Sequence, residues 1–403
     1  MANLKFENPF RPGAGQMPPH LAGREDERGE FIRLLEQKII LQNAILTGLR
    51  GVGKTVLLET FKPLAIEAGW LWVGNDLSES TSVTEEALAT RILTDLAVVS
   101  SQIVIGLEEK RRIGIGAAPE PVMKTLDFAA LAAIYQGTPG LVTDKLKAVL
   151  EQVWLHMKPP EKRGIIFAYD EAQNLADHAE KDQYPLSILL EVFMSIQRKE
   201  IPFMLVLTGL PTLLTKLVEA RTYAERMFHQ IVLHRLDDRA TRDAIVTPIK
   251  KANCPVSFAE PTVDLLAKTT RGYPYFIQFV CREVFDVWIQ KAAEGQKLAP
   301  VPVEEIMRKL DMDFFAGRWQ RATDRQRELL RVISTLPNSD GEFTVQEVSE
   351  ASHNLLDKGF SPSHVSQMLA KLSEAGLVYK NRWGKYSLAV PLLGDFIRRQ
   401  SKG

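Results

Sequence analysis

Residues 44–55 decide the fold, and they read AILTGLRGVGKT. The stretch begins as a short apolar run, which is typical of a buried strand, and it ends in the pattern G-x-x-x-x-G-K-[ST]. Residues 56–61, which come next, are typical of a helix. A glycine-rich loop between a strand and a helix lets backbone N–H groups close around a phosphate, and the helix start favours negative charge. The stretch predicts an α/β protein with a phosphate-binding loop.

The residue types in this loop indicate which phosphate compound it holds. Lys54 is expected to neutralise charge on β- and γ-phosphates, and the Thr55 hydroxyl is expected to ligate Mg²⁺. We therefore expect ATP and Mg²⁺ as cofactors. The loop residues expected to contact the nucleotide are Gly48, Arg50, Gly51, Val52, Gly53, Lys54, Thr55 and Val56.

A second motif, GIIFAYDE at residues 164–171, is an apolar strand that ends in two carboxylates. Asp170 is expected in the Mg²⁺ shell, and Glu171 is expected to orient and polarise the attacking water. Another apolar strand, PFMLVLT, ends at Thr208. Because ligands gather outside the carboxyl ends of strands in open α/β sheets, Thr208 is a candidate to hold the same water or the γ-phosphate.

Five short apolar runs with little alternation predict a five-stranded parallel sheet covered by helices on both faces. The runs are Ala44–Leu49, Trp70–Val73, Gly164–Asp170, Pro202–Thr208 and Gln230–Leu236. We expect an N-terminal arm at 1–29 and an α/β core at 30–236 with a long insertion at about 78–163. The middle of the insertion, GLEEKRRIGIGAAPEP, is interpreted as a loop. Its cations make it either a solvated connector or an element that contacts a protein partner or DNA.

The remaining chain is expected to form a helical lid at 237–295, a linker at 296–318 and a winged helix-turn-helix at 319–403. Ser361 is the expected cap of the third helix of that last domain, with Pro362 at its first position. Double-stranded DNA is the expected partner, and protein docking is the alternative. The expected DNA contacts are Ser363, His364, Gln367 and Lys371 on the helix, and Lys380, Arg382 and Lys385 on the wing.

Composition excludes several classes of protein. The chain has 403 residues, of which 45% are hydrophobic and 25% charged, so it is not mainly disordered. Lys and Arg total 50, as do Asp and Glu, which argues against a basic packaging protein. Cys254 and Cys281 have no zinc-like spacing and predict reduced thiols. No apolar stretch approaches the roughly 18 residues of a membrane span. We expect a cytoplasmic protein with no membrane partner.

The order of these motifs resembles that of AAA+ and STAND-type P-loop ATPases, in particular the origin-recognition-like branch with a C-terminal winged helix. The resemblance covers residues 18 to 403. It implies that the backbone around Leu21 and Gly23, in HLAGREDE, lines the adenine, and that Thr208 is the first sensor. It also implies an arginine finger, best matched by Arg226, that completes the site of a neighbouring subunit in an ATP-dependent homo-oligomer.

The chain also departs from the origin-recognition pattern. Gly272–Tyr273–Pro274–Tyr275 stands where initiator ATPases carry G-D-x-R, so the second-sensor arginine is missing. The G-x-P form is similar to STAND-type ATPases, which implies that Pro274 lies near the nucleotide. Arg221 is the second choice for the finger, and Arg271 is a candidate to replace the missing arginine.

Two functions follow from these patterns. The first is a Mg²⁺-dependent ATPase that acts as a DNA-associated assembly switch of initiator, transposition-regulator or defence type. The second is a STAND-like signalling ATPase whose winged helix docks protein partners. The G-x-P lid favours the second, whereas the polar third helix, the basic wing and the cationic insertion favour the first. A metabolic kinase is disfavoured because no small-substrate lid is recognisable.

Overall fold

The structure is a computed structural model that describes residues 7–110, 120–157, 162–252, 254, 256–294, 300–381 and 384–400. The chain forms two compact units. One, the loop unit, consists of Met1–Glu25, Gly48–Val56 and Leu233–Gly403. The other, the sheet unit, consists of Asp26–Thr47 and Leu57–Val232.

The described residues contain nine strands. They are β1 Asn43–Gly48, β2 Trp70–Val73, β3 Val104–Lys110, β4 Glu120–Thr125, β5 Gly164–Tyr169, β6 Phe203–Gly209, β7 Phe228–Leu233, β8 Val378–Lys380 and β9 Tyr386–Leu388.

Seventeen α-helices connect or follow these strands in the described ranges. They are α1 Glu25–Leu35, α2 Lys54–Glu67, α3 Glu85–Ser100, α4 Phe128–Gly137, α5 Val142–His156, α6 Pro185–Gln197, α7 Leu213–Ala220, α8 Ala224–Met227, α9 Asp238–Ala252, α10 Glu260–Thr270, α11 Pro274–Ala293, α12 Val303–Leu310, α13 Gly317–Arg321, α14 Asp324–Thr335, α15 Val345–Leu355, α16 Pro362–Glu374 and α17 Leu393–Gln400.

The predicted α/β fold is confirmed: β2, β5, β6, β1 and β7 lie in that order in one five-stranded sheet. The pairs β2–β5, β5–β6 and β6–β1 are parallel. Every residue of β1, β5 and β6 is buried, which explains why these strands show no polar alternation in the sequence. The parallel register brings the carboxyl ends of the three central strands to one edge.

Aromatic and aliphatic side chains fill the core of the sheet unit. Phe167 on β5 meets Phe193 on α6 edge to face, with ring centroids 5.0 Å apart. The Asn43 side chain is buried at the start of β1, where it accepts a hydrogen bond from Leu205 N at 2.8 Å and donates one to Met227 O at 3.2 Å. One amide thus ties β1 to β6 and to the residue before β7, and fixes their alignment.

The prediction that the middle of the insertion is a loop is wrong at both ends of that segment, which are strands. Residues 104–110 and 120–125 pair as an antiparallel hairpin, β3–β4, and residues 111–119, which include Arg111 and Arg112, lie outside the described residues. The base of the hairpin is closed by Leu126 N donating to Ile103 O at 3.0 Å and Ser100 Oγ donating to Leu126 O at 2.6 Å. Apolar residues at 103–105 and 122–123 favour strand pairing over the glycine and proline signals.

The loop unit has a separate hydrophobic core, shared by the lid helices, the C-terminal helices and the N-terminal arm. Phe10 of the arm is fully buried there and stacks near Phe258. Arg11 N donates to the Gln278 side chain at 2.9 Å, so the arm is anchored along α11. No helix within the described ranges is long and apolar enough to cross a membrane.

The C-terminal region contains α14, α15 and α16, the two-stranded sheet β8–β9 and α17, which is the expected winged-helix arrangement. Ser361 caps α16 by accepting a hydrogen bond from His364 N at 3.4 Å, and Pro362 occupies the first turn, as predicted. The stretch expected to be a linker is instead helical from Val303, because α12 and the following turns pack their apolar faces into the core.

Candidate functional site

The phosphate loop connects β1 to α2 through a backbone that only glycine adopts without strain at two points. Gly51 and Gly53 have φ values of 79° and 93°. A Cβ at Gly53 would meet no atom within 4 Å, so this glycine borders open space. A Cβ at Gly48 would instead come within 2.7 Å of Leu233 O and 2.9 Å of Val52 Cγ2. The sequence pattern therefore serves a tight turn with one open side, which suits a bound phosphate.

The lid supports this loop from within the same unit. Tyr275 N donates a hydrogen bond to Gly51 O at 3.1 Å, and a Cβ at Gly51 would lie 3.1 Å from Tyr275 Cβ. Pro274, at the start of α11, is the residue next to this contact. Lys54 is buried, and its ammonium donates to Leu49 O at 3.0 Å across the loop. The G-x-P segment of the lid and the phosphate loop thus form one local structure.

The N-terminal motif packs on the first lid helix, also within the loop unit. Gly23 has a φ of 60°, and a Cβ there would come within 2.5 Å of the Ala240 Cβ on α9. Its neighbour Ala22 is buried in the core, whereas Leu21 is partly exposed. This packing explains the glycine, and it leaves the predicted adenine contact at Leu21 and Gly23 as a proposal.

The acidic pair stands at the end of β5 in the sheet unit. Asp170 is 4% exposed, and its backbone is fixed by Leu77 N donating to Asp170 O at 3.0 Å. Glu171 has a left-handed φ of 50°, and its N–H donates to Asp170 Oδ1 at 2.8 Å. The left-handed backbone at Glu171 ends the extended conformation of the strand.

Gln173, which the sequence analysis missed, links Glu171 to the end of β6. Its side-chain amide donates to the Glu171 carboxylate, and its Oε1 accepts from Leu210 N at 3.1 Å. Lys216 Nζ donates to Gln173 O at 2.8 Å, and burial lowers the pKa of Lys216. The only sequence cue was a polar residue two positions after the acidic pair.

Thr208 is fully buried at the carboxyl end of β6, in register with Leu46 of β1. Its Oγ1 has no hydrogen-bond partner within the described ranges. A buried hydroxyl without a partner costs roughly 1–3 kcal/mol, so a polar ligand there would be favoured. Asp170, Glu171 and Thr208 therefore share the sheet edge at which this fold class binds ligands.

Metal binding at this edge would depend on few protein ligands. The described residues include no group of three or more His, Cys, Asp or Glu side chains that could hold a metal ion. Mg²⁺ is commonly held by one or two protein oxygens together with phosphates and water. Thr55 and Asp170 each carry an oxygen ligand of this kind, and their role in holding Mg²⁺ stays a prediction.

The two candidates for the arginine finger differ in their surroundings. Arg226, on the short helix α8, is exposed and has no ion-pair partner within the described part of the chain. Arg221 is partly buried, lies 3.6 Å from Glu191 and donates to Ala220 O at 3.2 Å. Of these two arginines, Arg226 is the more available at the surface for a second molecule.

The arginines of the lid and the following helices have separate roles in the loop unit. Arg271 pairs with Asp340, and with Asp395 at 2.7 Å, so it is held by the C-terminal region. Arg318 stacks over the Phe314 ring at 4.4 Å. Burial and then the positive charge of Arg50 lower the pKa of Arg318, which places two cations near each other. Arg271 is therefore a poor substitute for the missing sensor.

The expected DNA-contacting face of α16 is exposed. Ser363, His364, Gln367 and Lys371 are all exposed, while the intervening Val365 is buried. The His364 ring packs edge-on against Phe360, with centroids 5.4 Å apart.

The cations of the wing are less available than the sequence suggests. Lys385 lies 3.6 Å from Glu342, which also accepts a hydrogen bond from Asn381. Lys380 lies 5.9 Å from the Tyr386 ring centroid. Arg382 lies outside the described residues. Glu342 therefore offsets part of the positive charge expected on the wing.

Comparisons with known proteins agree with this architecture. The ORC2 protein of Aeropyrum pernix in its ADP form is 16% identical, with 97% of each chain covered and a TM-score of 0.54. The A. pernix ORC1 protein in complex with DNA is 16% identical over 95% of this chain and 94% of that chain, at a TM-score of 0.47. The Holliday junction branch migration motor RuvB of Thermotoga maritima is 14% identical over 94% and 95%, at 0.44.

The first of these likenesses shows that the chain shares the fold of that ORC2 protein, and the other two add nothing to that conclusion. A family described as a domain of unknown function, DUF8462, matches residues 312–397. No curated protein matches the chain.

Proposed function

We propose that this chain is a Mg²⁺-dependent ATPase that acts as a nucleotide-dependent, DNA-associated assembly switch of initiator, transposition-regulator or defence type. The observation that carries the proposal is the buried Thr208 hydroxyl, which lacks a partner within the described ranges at the edge where β5 also ends. A water or phosphate oxygen would satisfy that hydroxyl, and Glu171 follows the neighbouring strand. The fold shared with the ADP form of the A. pernix ORC2 protein supports the proposal that this chain binds a nucleotide.

The proposed reaction divides the work among a few side chains. Lys54 neutralises phosphate charge, Glu171 orients the attacking water and accepts its proton, and Thr208 fixes the position of that water or of the terminal phosphate. Mg²⁺, which we expect Thr55 and Asp170 to ligate, supplies charge stabilisation when bound. Gln173 holds the Glu171 carboxylate, and so sets the orientation from which Glu171 acts.

Assembly would depend on Arg226. An exposed arginine without a carboxylate partner among the described residues is free to reach an anion on another molecule, and the family resemblance gives that anion as the nucleotide of a neighbouring subunit. Turnover would then require two chains in contact. The insertion at about 78–163, which contains the hairpin β3–β4, is the proposed contact for a protein partner.

DNA binding is proposed for α16 and the wing. Short polar side chains on an exposed helix suit groove edges, and Lys371 and Lys380 suit phosphates. The alternative is a STAND-like signalling ATPase whose C-terminal domain docks a protein. The contact between the G-x-P lid and the phosphate loop, and the pairing of Lys385 with Glu342, favour that alternative.

A DNA titration across salt concentrations separates the two functions. We expect labelled duplex DNA to bind the full chain in fluorescence anisotropy, with an affinity that falls by about 0.9 in logarithmic slope for each phosphate contacted. ATP should give tighter binding than ADP if the protein is a switch. If no DNA binds at low salt, the DNA-associated function is rejected in favour of the signalling function. If DNA binds equally with ATP and with ADP, the proposal that the protein is a nucleotide-dependent switch is rejected.

A further inference from the structure

Arg24 is a buried cation beside the phosphate loop. It lies directly before α1, in the HLAGREDE motif, and is 5% exposed. One terminal nitrogen, Nη2, donates to Val52 O at 3.0 Å and to His234 O at 2.8 Å. A buried guanidinium is costly unless its hydrogens are satisfied, so these bonds hold it strongly in place. They also join the loop to the segment that follows β7.

The two carbonyls differ in what they position. His234 directly follows β7, so its carbonyl lies outside the phosphate loop, next to a strand of the sheet. Val52 lies within the phosphate loop, and its side chain is 1% exposed. In a planar trans peptide the C=O and the next N–H point in opposite directions. With Val52 O turned toward Arg24, the Gly53 N–H is turned away from it.

The preceding peptide is held in the same way. Gly51 O accepts a hydrogen bond from Tyr275 N at 3.1 Å, which turns the Val52 N–H away from the lid. Two consecutive loop carbonyls are thus bound by groups outside the loop. When the carbonyls are held on one side in this way, the N–H groups of successive residues can face the other side and form an anion-binding concavity. The open space beside Gly53 is where an anion would enter.

We infer that Arg24 is a positioning residue that holds the Val52 carbonyl so that the loop amides are arranged, before binding, for the β-phosphate of a nucleoside diphosphate or triphosphate. This role deepens the proposed function and rests on it. Arginine suits the task better than lysine, because its planar guanidinium can donate two hydrogens from one nitrogen in fixed directions. The fixed positive charge also favours an anion nearby.

The test compares Arg24→Met and Arg24→Lys with the wild type in the full-length chain. ADP and AMP affinities are measured by calorimetry or by competition. Loss of a charge-assisted hydrogen bond should weaken ADP binding by roughly 10- to 100-fold in Arg24→Met. AMP has no β-phosphate, so its affinity should change less, and the ratio of ADP to AMP affinity should fall. Arg24→Lys keeps the charge but loses the two-carbonyl geometry, so its loss should be intermediate.

Arg33→Met is the matched control, because Arg33 is an exposed arginine on α1. It should keep both affinities. If Arg24→Met does not fold, as judged by circular dichroism, Arg24→Lys carries the test alone. If a folded Arg24 variant has the same ratio of ADP affinity to AMP affinity as the wild type, the inference about Arg24 is overturned. The ATPase proposal is not affected by that result. A wild type that binds neither ADP nor ATP would overturn the ATPase proposal itself.

Discussion

At the scale of single residues, Glu171 has the most sharply defined role. Its backbone is strained, with φ at 50°, and its carboxylate is bound by Gln173, which also contacts the end of β6. Such strain commonly persists where a side chain must be aimed. Under the proposed function, Glu171 acts in the chemical step rather than in binding.

Glu171→Gln should therefore retain ATP and lose turnover. The amide keeps the size of the side chain but cannot accept a proton, so the hydrolysis rate should fall by about 10² or more. Phosphate release measures the rate, and calorimetry measures ATP affinity. Glu180→Gln, at an exposed acid on the following turn, should behave as the wild type. A fully active Glu171→Gln would transfer the water-orienting role to another residue.

The two arginines before β7 give a second residue-scale prediction. Arg226→Ala should leave ATP affinity near the wild-type value and abolish the part of hydrolysis that rises with protein concentration. Arg221→Ala serves as the comparison, because its charge is already paired with Glu191. Turnover per subunit should be measured over a range of protein concentrations. A wild type whose turnover does not vary with concentration would make Arg226 a surface residue without a role in a neighbour's site.

At the scale of secondary-structure elements, the wing and α16 should contribute unequally to DNA binding. Lys380 lies over the Tyr386 ring, whereas Lys385 is paired with Glu342. Lys380→Ala should lower the salt slope by about one and weaken all DNA sequences equally. Lys385→Ala should have a smaller effect, because that charge is already offset.

Removing the carboxylate of Glu342, which pairs with Lys385 on the wing, should have the opposite effect on DNA binding. Glu342→Gln should release Lys385 and strengthen DNA binding, with a steeper salt dependence. Lys358→Ala, at an exposed cation before α16, is the control. If Glu342→Gln and Lys380→Ala both leave anisotropy curves unchanged, the wing does not contact DNA, and the domain is better assigned to protein docking.

Secondary-structure elements with an uninterrupted apolar run could be predicted from the sequence. Elements whose sequence contains glycine or proline signals, and whose structure depends on packing against other residues, could not. The strands β1, β5 and β6 were recognisable because burial on both faces removes polar residues from them. The strand β2 was recognisable because all four of its residues are apolar. The hairpin β3–β4 was not, because the glycines and prolines between its strands outweigh their short apolar ends. The helices after Val303 were hidden by two prolines, although the segment packs in the core.

The candidate site divides in the same way. The glycines of the phosphate loop, the acidic pair and Thr208 have fixed spacing or a fixed place at a strand end, so the sequence predicts them. Gln173 accepts a hydrogen bond from Leu210 N, and Arg24 donates to Val52 O and His234 O. These partners are distant in sequence, and no spacing reports such contacts. The pairing of Arg271 with Asp340 and Asp395 is likewise visible only after folding.

At the scale of the whole molecule, the chain forms two compact units, one built around the five-stranded sheet and one that carries the phosphate loop and the helices that follow β7. The chain shares that fold with an origin-recognition protein along 97% of its length. Every functional proposal above requires that the chain bind ATP through the phosphate loop. Lys54, which is buried and lies across that loop, is the residue on which this requirement depends most.

Whether the phosphate loop binds ATP is measured by isothermal calorimetry, with ATP titrated into the wild type and into Lys54→Ala. Lys62→Ala, at an exposed lysine on the same helix, is the matched control, and circular dichroism establishes that all three proteins are folded. We expect ATP binding by the wild type and by Lys62→Ala, and no measurable binding by Lys54→Ala. Equal ATP affinity in Lys54→Ala and the wild type, or no binding in any of the three, would contradict it.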